Sequence, residues 1–214
     1  MKVAILGLGR FGTQLSHELA SLGIEVLAVD RNSTRVNDLV ETVLLAAEGN
    51  VEDVEFLESL SLHNYDSVVV AIGSNVPTSV LVTLTLKQRL RLSHVVSKAS
   101  TMEHTRALEL AGADVLVNPE RESAQRLAHT LGSSDISDYM ALGGAQGIAR
   151  VKAPYSATGH PIGQLDISER YSVFLLARLR ENSVTFRPDL DETVEAGDFW
   201  IVAGRDEHLR DLQQ

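Results

Sequence analysis

The chain has 214 residues and a formal net charge of −10, from 19 Lys plus Arg against 29 Asp plus Glu. At roughly 100–200 residues per domain this allows one large or two small domains, and a hydrophobic content of 44% is ordinary for a folded protein, so disorder is not expected. The acidic excess is spread over both parts, −7 over residues 1–138 and −3 over 139–214; without a basic stripe no nucleic-acid partner is expected, and the absence of Cys excludes disulfides, thiolate metal sites and cysteine nucleophiles.

Residues 1–131 repeat one pattern, a short apolar run followed by a helical stretch. The runs Lys2–Leu6, Glu25–Val29, Thr42–Ala46, Ser67–Ile72, His94–Ser97 and Asp114–Val117 are rich in Val and Ile with little alternation, as expected of strands covered on both faces. Helical segments are predicted between and after them, at 10–22, 33–41, 51–60, 77–91, 102–111 and 120–131. Ser33 and Asn50 stand where N-caps would serve, and Gly23 and Gly112 follow two of the helices. Six strands alternating with helices predict an α/β fold, a Rossmann-like doubly wound parallel sheet in the order 3-2-1-4-5-6.

After Leu131 the pattern stops. The Gly-, Ser- and Asp-rich stretch 132–147 reads as a hinge or boundary. Strands are expected at Ala149–Ala153, Ser172–Arg180 and Phe199–Val202, and a short helix from Asp206 onward. The expected division is 1–134, a nucleotide-binding domain, and 135–214, a small α+β domain. The longest apolar run, about five residues around Val68–Ile72, is far short of the ~20 a membrane-spanning helix needs, so a soluble, cytoplasmic protein with no direct membrane insertion is expected.

GLGRFG at 7–12 matches G-x-G-x-x-G where the chemistry needs it, after a strand and at the opening of a helix. Gly7 permits a tight turn, Gly9 lets a pyrophosphate approach the backbone and Gly12 lets helix and strand pack closely. Asp30 ends the second strand, where a carboxylate accepts hydrogen bonds from ribose hydroxyls and disfavours a 2′-phosphate. The other strand ends add candidates. Asn50 could pair with an adenine edge or cap a helix, and Ala71, Ile72 and Gly73 form a small turn facing the pyrophosphate. Arg10 and Lys98 leave the same edge as extra cations, suited to a terminal phosphate or to a surface ion pair. Glu120 could complement a helix dipole or help hold a divalent cation. No P-loop or G-x-S-x-G elbow occurs, and His17, His63, His94, His104, His129, His160 and His208 show no ligand spacing. Most of the histidines read as solvated surface groups, and binding without turnover is the simpler expectation.

AILGLGRFG at 4–12, EVLAVD at 25–30, DSVVVAIGSN at 66–75, VVSKA at 95–99 and GADVLVNPERE at 112–122 together resemble the soluble regulatory subunits of bacterial Ktr and Trk potassium transporters, which are built from RCK domains. The resemblance covers essentially the whole chain. It implies an N-terminal lobe that binds ATP or ADP, or in some members NAD or NADH, held here by Gly7, Gly9, Gly12 and Asp30. Their neighbours Phe11, Arg31 and Val51 would contribute, with Asn50 near the base and the 71–73 turn at the phosphates. Arg10 and Lys98 resemble phosphate-contacting residues, and Glu120 a carboxylate associated with Mg2+ or another cation at a dimer interface. It further implies a homodimer assembling into an octameric ring under a membrane-embedded potassium channel subunit of the KtrB or TrkH type. GHPIGQLDI at 159–167 and VEAGDFWIVAG at 194–204 resemble the RCK-C domain. In some members that domain binds cyclic di-AMP, but the residues around Leu165–Arg170 do not match a recognisable site. The alternative left open is a small NAD-dependent oxidoreductase or an NADH/NAD sensor.

Overall fold

The structure is a computed structural model that describes residues 1–181 and 183–212. The chain divides into two compact units, Met1–Pro119 and Glu120–Gln214. Among the described residues no helix is long and apolar enough to cross a membrane.

The first unit runs β1 (Lys2–Leu6), α1 (Arg10–Ser21), β2 (Glu25–Asp30), α2 (Ser33–Asn37), β3 (Leu45–Glu48), α3 (Val54–Ser59), β4 (Ser67–Val70), α4 (Val76–Leu84), β5 (Val95–Lys98), α5 (Met102–Ala111) and β6 (Val115–Val117). Its six strands are parallel, in the order β3-β2-β1-β4-β5-β6. This is the expected Rossmann-like sheet.

The apolar runs follow from two-sided burial. On β1, Ala4 and Leu6 join Val68 and Val70 in one core, while Val3 and Ile5 join Val26, Ala28 and Val69 in another on the opposite face. Successive strand residues point to opposite faces, so with both faces covered nearly every position must be apolar. Burying such a Leu or Ile contributes about 1.5–3 kcal/mol.

Local details differ where tertiary pairing decides them. The third strand is expected at 42–46 but lies at Leu45–Glu48, because its register is set by pairing Leu27 with Leu45 and Asp30 with Glu48. Leu39 and Val43, ahead of it, are instead buried in a turn closed by the Val43 amide on the Leu39 carbonyl. The caps are Asn32 and Asp53, one residue before and three after the expected Ser33 and Asn50. Asn32 Oδ1 accepts from the Thr34 and Arg35 amides, and Asp53 Oδ1 from Glu55 and Phe56. The helix expected over 77–91 is α4 followed by a π-helical turn at Thr85–Arg89.

The second unit contains α6 (Pro119–Gly132), β7 (Ile136–Gly143), β8 (Gln146–Lys152), α7 (Ile167–Tyr171), β9 (Val173–Arg180), β10 (Ser183–Phe186), β11 (Phe199–Arg205) and α8 (Asp206–Asp211). Its antiparallel sheet has the order β10-β9-β11-β8-β7. Here the strands alternate, with Ala149, Val151, Trp200 and Val202 inward, as expected where only one face meets the core. The stretch 132–147, read from sequence as a hinge or boundary, holds β7. Its register shifts at Ile136/Asp138 and Ala141/Gly143 break the alternation that would have marked a strand. The Gly-rich part supplies the left-handed turn of the β7–β8 hairpin, with φ of +95° at Gly143 and +62° at Gly144.

One partly buried contact ties three elements of this unit. The Tyr139 hydroxyl donates to Asp206 Oδ1 at 2.6 Å, and the His129 ring stacks on Tyr139 with centroids 3.7 Å apart. Burial, with the Asp206 hydrogen bond behind it, pushes the Tyr139 phenol up to about 12 from 10.0. The neutral phenol is therefore favoured by folding, and its contribution is complete below pH 10 and lost as the pH rises through 12. Tyr139→Phe is expected to cost about 1–3 kcal/mol in urea unfolding at neutral pH, and to remove that part of the alkaline decline. In the first unit, a Cβ at Gly12 would overlap the Gly7 carbonyl oxygen. Gly12→Ala is expected to lower unfolding free energy by about 1–3 kcal/mol, read from the same denaturation curves.

Candidate nucleotide site

The loop from β1 to α1 is built by its glycines. Gly7 has a φ of +102°, and a Cβ there would lie 3.0 Å from Ile72 Cγ1. Gly12 packs against Gly7 and the Ala71 side chain, so α1 starts directly against the exits of β1 and β4. At Gly9 a Cβ would meet nothing within 4 Å; the space above it is open. The first intrahelical bond of α1 runs from the Thr13 amide to the Gly9 carbonyl, so the amides of Arg10, Phe11 and Gly12 have no acceptor within the helix. An open glycine beneath outward-pointing amides at the positive end of a 12-residue helix suits a phosphate.

Asp30 is 7% exposed. Its Oδ2 accepts from the Leu8 amide at 2.6 Å and its Oδ1 from the Asn32 amide at 2.9 Å. The carboxylate therefore holds the glycine loop as well as offering acceptors at the mouth of the sheet. Arg35 Nη1, on α2, lies 3.5 Å from Oδ2. Sequence reasoning missed Arg35; the available signal was its place one helical turn beyond the Asn32 cap, which returns it toward the end of β2.

At the end of β5, Lys98 lies across Gly73, where a Cβ would meet its Nζ at 3.2 Å and its Cδ at 3.4 Å. The ammonium is 5.7 Å from the Phe11 ring centroid. The structure thus gathers Gly7, Phe11, Gly12, Ala71, Ile72, Gly73 and Lys98 around one loop, with Asp30 joined to it through Leu8. The turn after Lys98 is fastened by His104, whose Nδ1 accepts from the Ser100 amide at 3.2 Å. His104 is 1% exposed and its pKa is lowered by burial, so it is no surface histidine.

The remaining candidates are placed differently. Arg10 is the exposed first residue of α1, and Arg31 is exposed just after β2. Asn50 is exposed, its Oδ1 accepting from the Glu52 amide at 3.1 Å, while Val51 is buried in the core. Glu52 in turn accepts a hydrogen bond from the Thr78 hydroxyl, linking the β3 exit to α4, a contact the sequence does not reveal. Glu120 is exposed in the first turn of α6, within the second unit. That unit has a cavity of about 700 Å³ lined by Ile167 and Phe174 with Asp166, Glu169, Asp189 and Arg187. Among the described residues no group of three or more His, Asp or Glu is arranged to hold a metal.

A Rossmann-like unit with an open glycine loop and an acidic second-strand end defines a nucleotide-binding module. The sequence matches the TrkA-N domain family over residues 3–119, and the chain belongs to that family. It is 35% identical to Ktr system potassium uptake protein C of Bacillus subtilis (strain 168), over 94% of this chain and 90% of that protein. It is 32% identical to Ktr system potassium uptake protein A of Vibrio alginolyticus, over 96% and 93% respectively. Solved structures that share the fold include the GsuK channel bound to NAD, with a TM-score of 0.56 at 17% identity over 99% of this chain and 37% of that one. The GsuK structure bound to ADP gives a TM-score of 0.52 at 19% identity over 63% of this chain. This chain spans little more than a third of either GsuK chain, 37% and 35%.

The Leu8–Asp30 contact has a consequence that needs no ligand. Asp30→Ala leaves the buried Leu8 amide without its acceptor, and is expected to cost about 1–3 kcal/mol in unfolding experiments on nucleotide-free protein.

Proposed function

We propose that this chain is a nucleotide-responsive regulatory component of a potassium uptake system and acts without chemical turnover. The observation that carries this reading is identity of 30–35% to Ktr potassium uptake proteins along nearly the whole chain. The glycine loop, Asp30 and Lys98 at one sheet edge support a ligand site within it. In this reading the first unit binds ATP or ADP. The amides of Arg10, Phe11 and Gly12 cradle phosphate, Asp30 takes the ribose hydroxyls, and Arg31, Asn50 and Val51 flank the adenosine end. Lys98 and Arg10 supply positive charge to the terminal phosphate.

Exchange of ATP for ADP is the proposed switch. A ligand shifts a conformational equilibrium only through contacts that differ between states, and the third phosphate is the group whose contacts differ. Glu120, with phosphate oxygens, would hold Mg2+ or another cation at a homodimer interface. The proposed assembly is an octameric ring at the cytoplasmic face of a KtrB- or TrkH-like membrane subunit. Cyclic di-AMP is not part of the proposal. Three carboxylates against one guanidinium in the cavity of the second unit disfavour a dianionic ligand.

The second reading, an NADH/NAD sensor, is favoured by the Asp30 carboxylate and by NAD in a GsuK structure that shares the fold. Calorimetric titration separates the two. Wild type is expected to bind ATP and ADP with different affinity, and Arg10→Ala to lose most of that difference. Equal responses of the two proteins would sink the ATP/ADP switch, and preference for NADH in competition would favour the sensor. Co-sedimentation with membranes holding a candidate potassium channel subunit tests the partner, and failure with ATP, ADP and NADH alike would overturn it.

A further inference from the structure

We propose that Arg35 is a specificity-determining residue at the ribose end of the nucleotide site: it occupies an acceptor position on Asp30 that a ribose 2′-hydroxyl must take. The inference rests on the nucleotide reading above and adds to it a residue that neither the glycine motif nor the strand ends identify.

A carboxylate offers about four lone-pair positions. In the structure three donors use Asp30: the Leu8 amide at 2.6 Å and Arg35 Nη1 at 3.5 Å on Oδ2, and the Asn32 amide at 2.9 Å on Oδ1. One position remains. A ribose bound through both its 2′- and 3′-hydroxyls donates twice, so one of the three donors must give way.

The distances and burial decide which. The Leu8 and Asn32 amides are backbone groups in short and normal hydrogen bonds respectively, fixed by the glycine loop and by the start of α2. Arg35 is at the outer limit of hydrogen-bond distance, and its side chain is 52% exposed against 8% for Asp30. A long contact whose guanidinium is half in water is screened and contributes little, and water can solvate the released guanidinium. Arg35 is therefore the donor that yields, and its displacement opposes binding of a vicinal diol. A 2′-deoxyribose donates only once at this position and fits the remaining acceptor with Arg35 in place.

The test compares ADP with 2′-deoxy-ADP by isothermal titration on the full chain, in wild type, Arg35→Ala and Arg35→Gln. Any general attraction of Arg35 for the phosphates acts on both ligands equally, so the readout is the ratio of the two dissociation constants. Removing the guanidinium is expected to increase the preference for ADP over 2′-deoxy-ADP roughly two- to fivefold in both variants. An unchanged ratio, or one that moves toward 2′-deoxy-ADP, would overturn the proposal while leaving nucleotide binding intact. Wild-type protein that bound neither ligand would overturn the ATP/ADP reading itself and this inference with it. Both variants lie on an exposed position of α2, and their far-ultraviolet circular dichroism and unfolding midpoints establish that the fold is retained.

Discussion

The hydrogen bond from the Leu8 amide to Asp30 Oδ2 is the contact on which the first unit's functional edge depends. It joins the end of β2 to the loop leaving β1, so the position of the glycine turn is set by the neighbouring strand rather than by the loop alone. It is short, at 2.6 Å, and buried, where a charge-assisted bond to an amide is stronger than a neutral one. The same carboxylate faces the mouth of the sheet. The carboxylate that ends β2 thus also fixes the glycine loop, and the exits of β1 and β2 are coupled through one side chain.

The rest of the site follows from strand order. Parallel strands all end at one edge, and in the order 3-2-1-4-5-6 the connections turn in opposite directions between β1 and β4. Ligands in open α/β sheets sit at such a crevice, and here it is where Gly7 and Gly12 meet Ala71 and Ile72. Lys98 reaches this place because Gly73 has no side chain to obstruct it, and the turn behind Lys98 is held by the buried His104. Positive charge is delivered by the ends of β5 and α1, two elements whose proximity is a property of the sheet.

The second unit is built on a different constraint. Its sheet is antiparallel, with alternate residues turned toward one core, and its helix α6 is attached to that sheet through His129 over Tyr139 and the shared carboxylate of Asp206. A polar contact in this position must be fully partnered to be tolerated. Tyr139 meets the requirement by donating to Asp206 while its ring packs over Gly147, where a side chain would collide.

The amino-acid sequence by itself determined the class of the first unit. Central strands buried on both faces leave an unbroken apolar signature, and the glycine spacing with Asp30 reads directly as a phosphate loop and a ribose-type acceptor. The edge strand β3 was less legible, because its limits come from hydrogen-bond register with β2 and not from its own hydrophobicity. β7 was hidden for a related reason, since bulges and the exposed apolar residues Met140 and Leu142 erase the period-two pattern. Only the tertiary structure decided that Asn32 and Asp53 are the caps, that Val51 belongs to the core, that His104 is buried, and that Arg35 returns onto Asp30. Each of these depends on which group lies across a gap of a few ångströms. Chain order alone does not encode that distance, whereas periodicity and spacing along the chain encode burial and turn chemistry well.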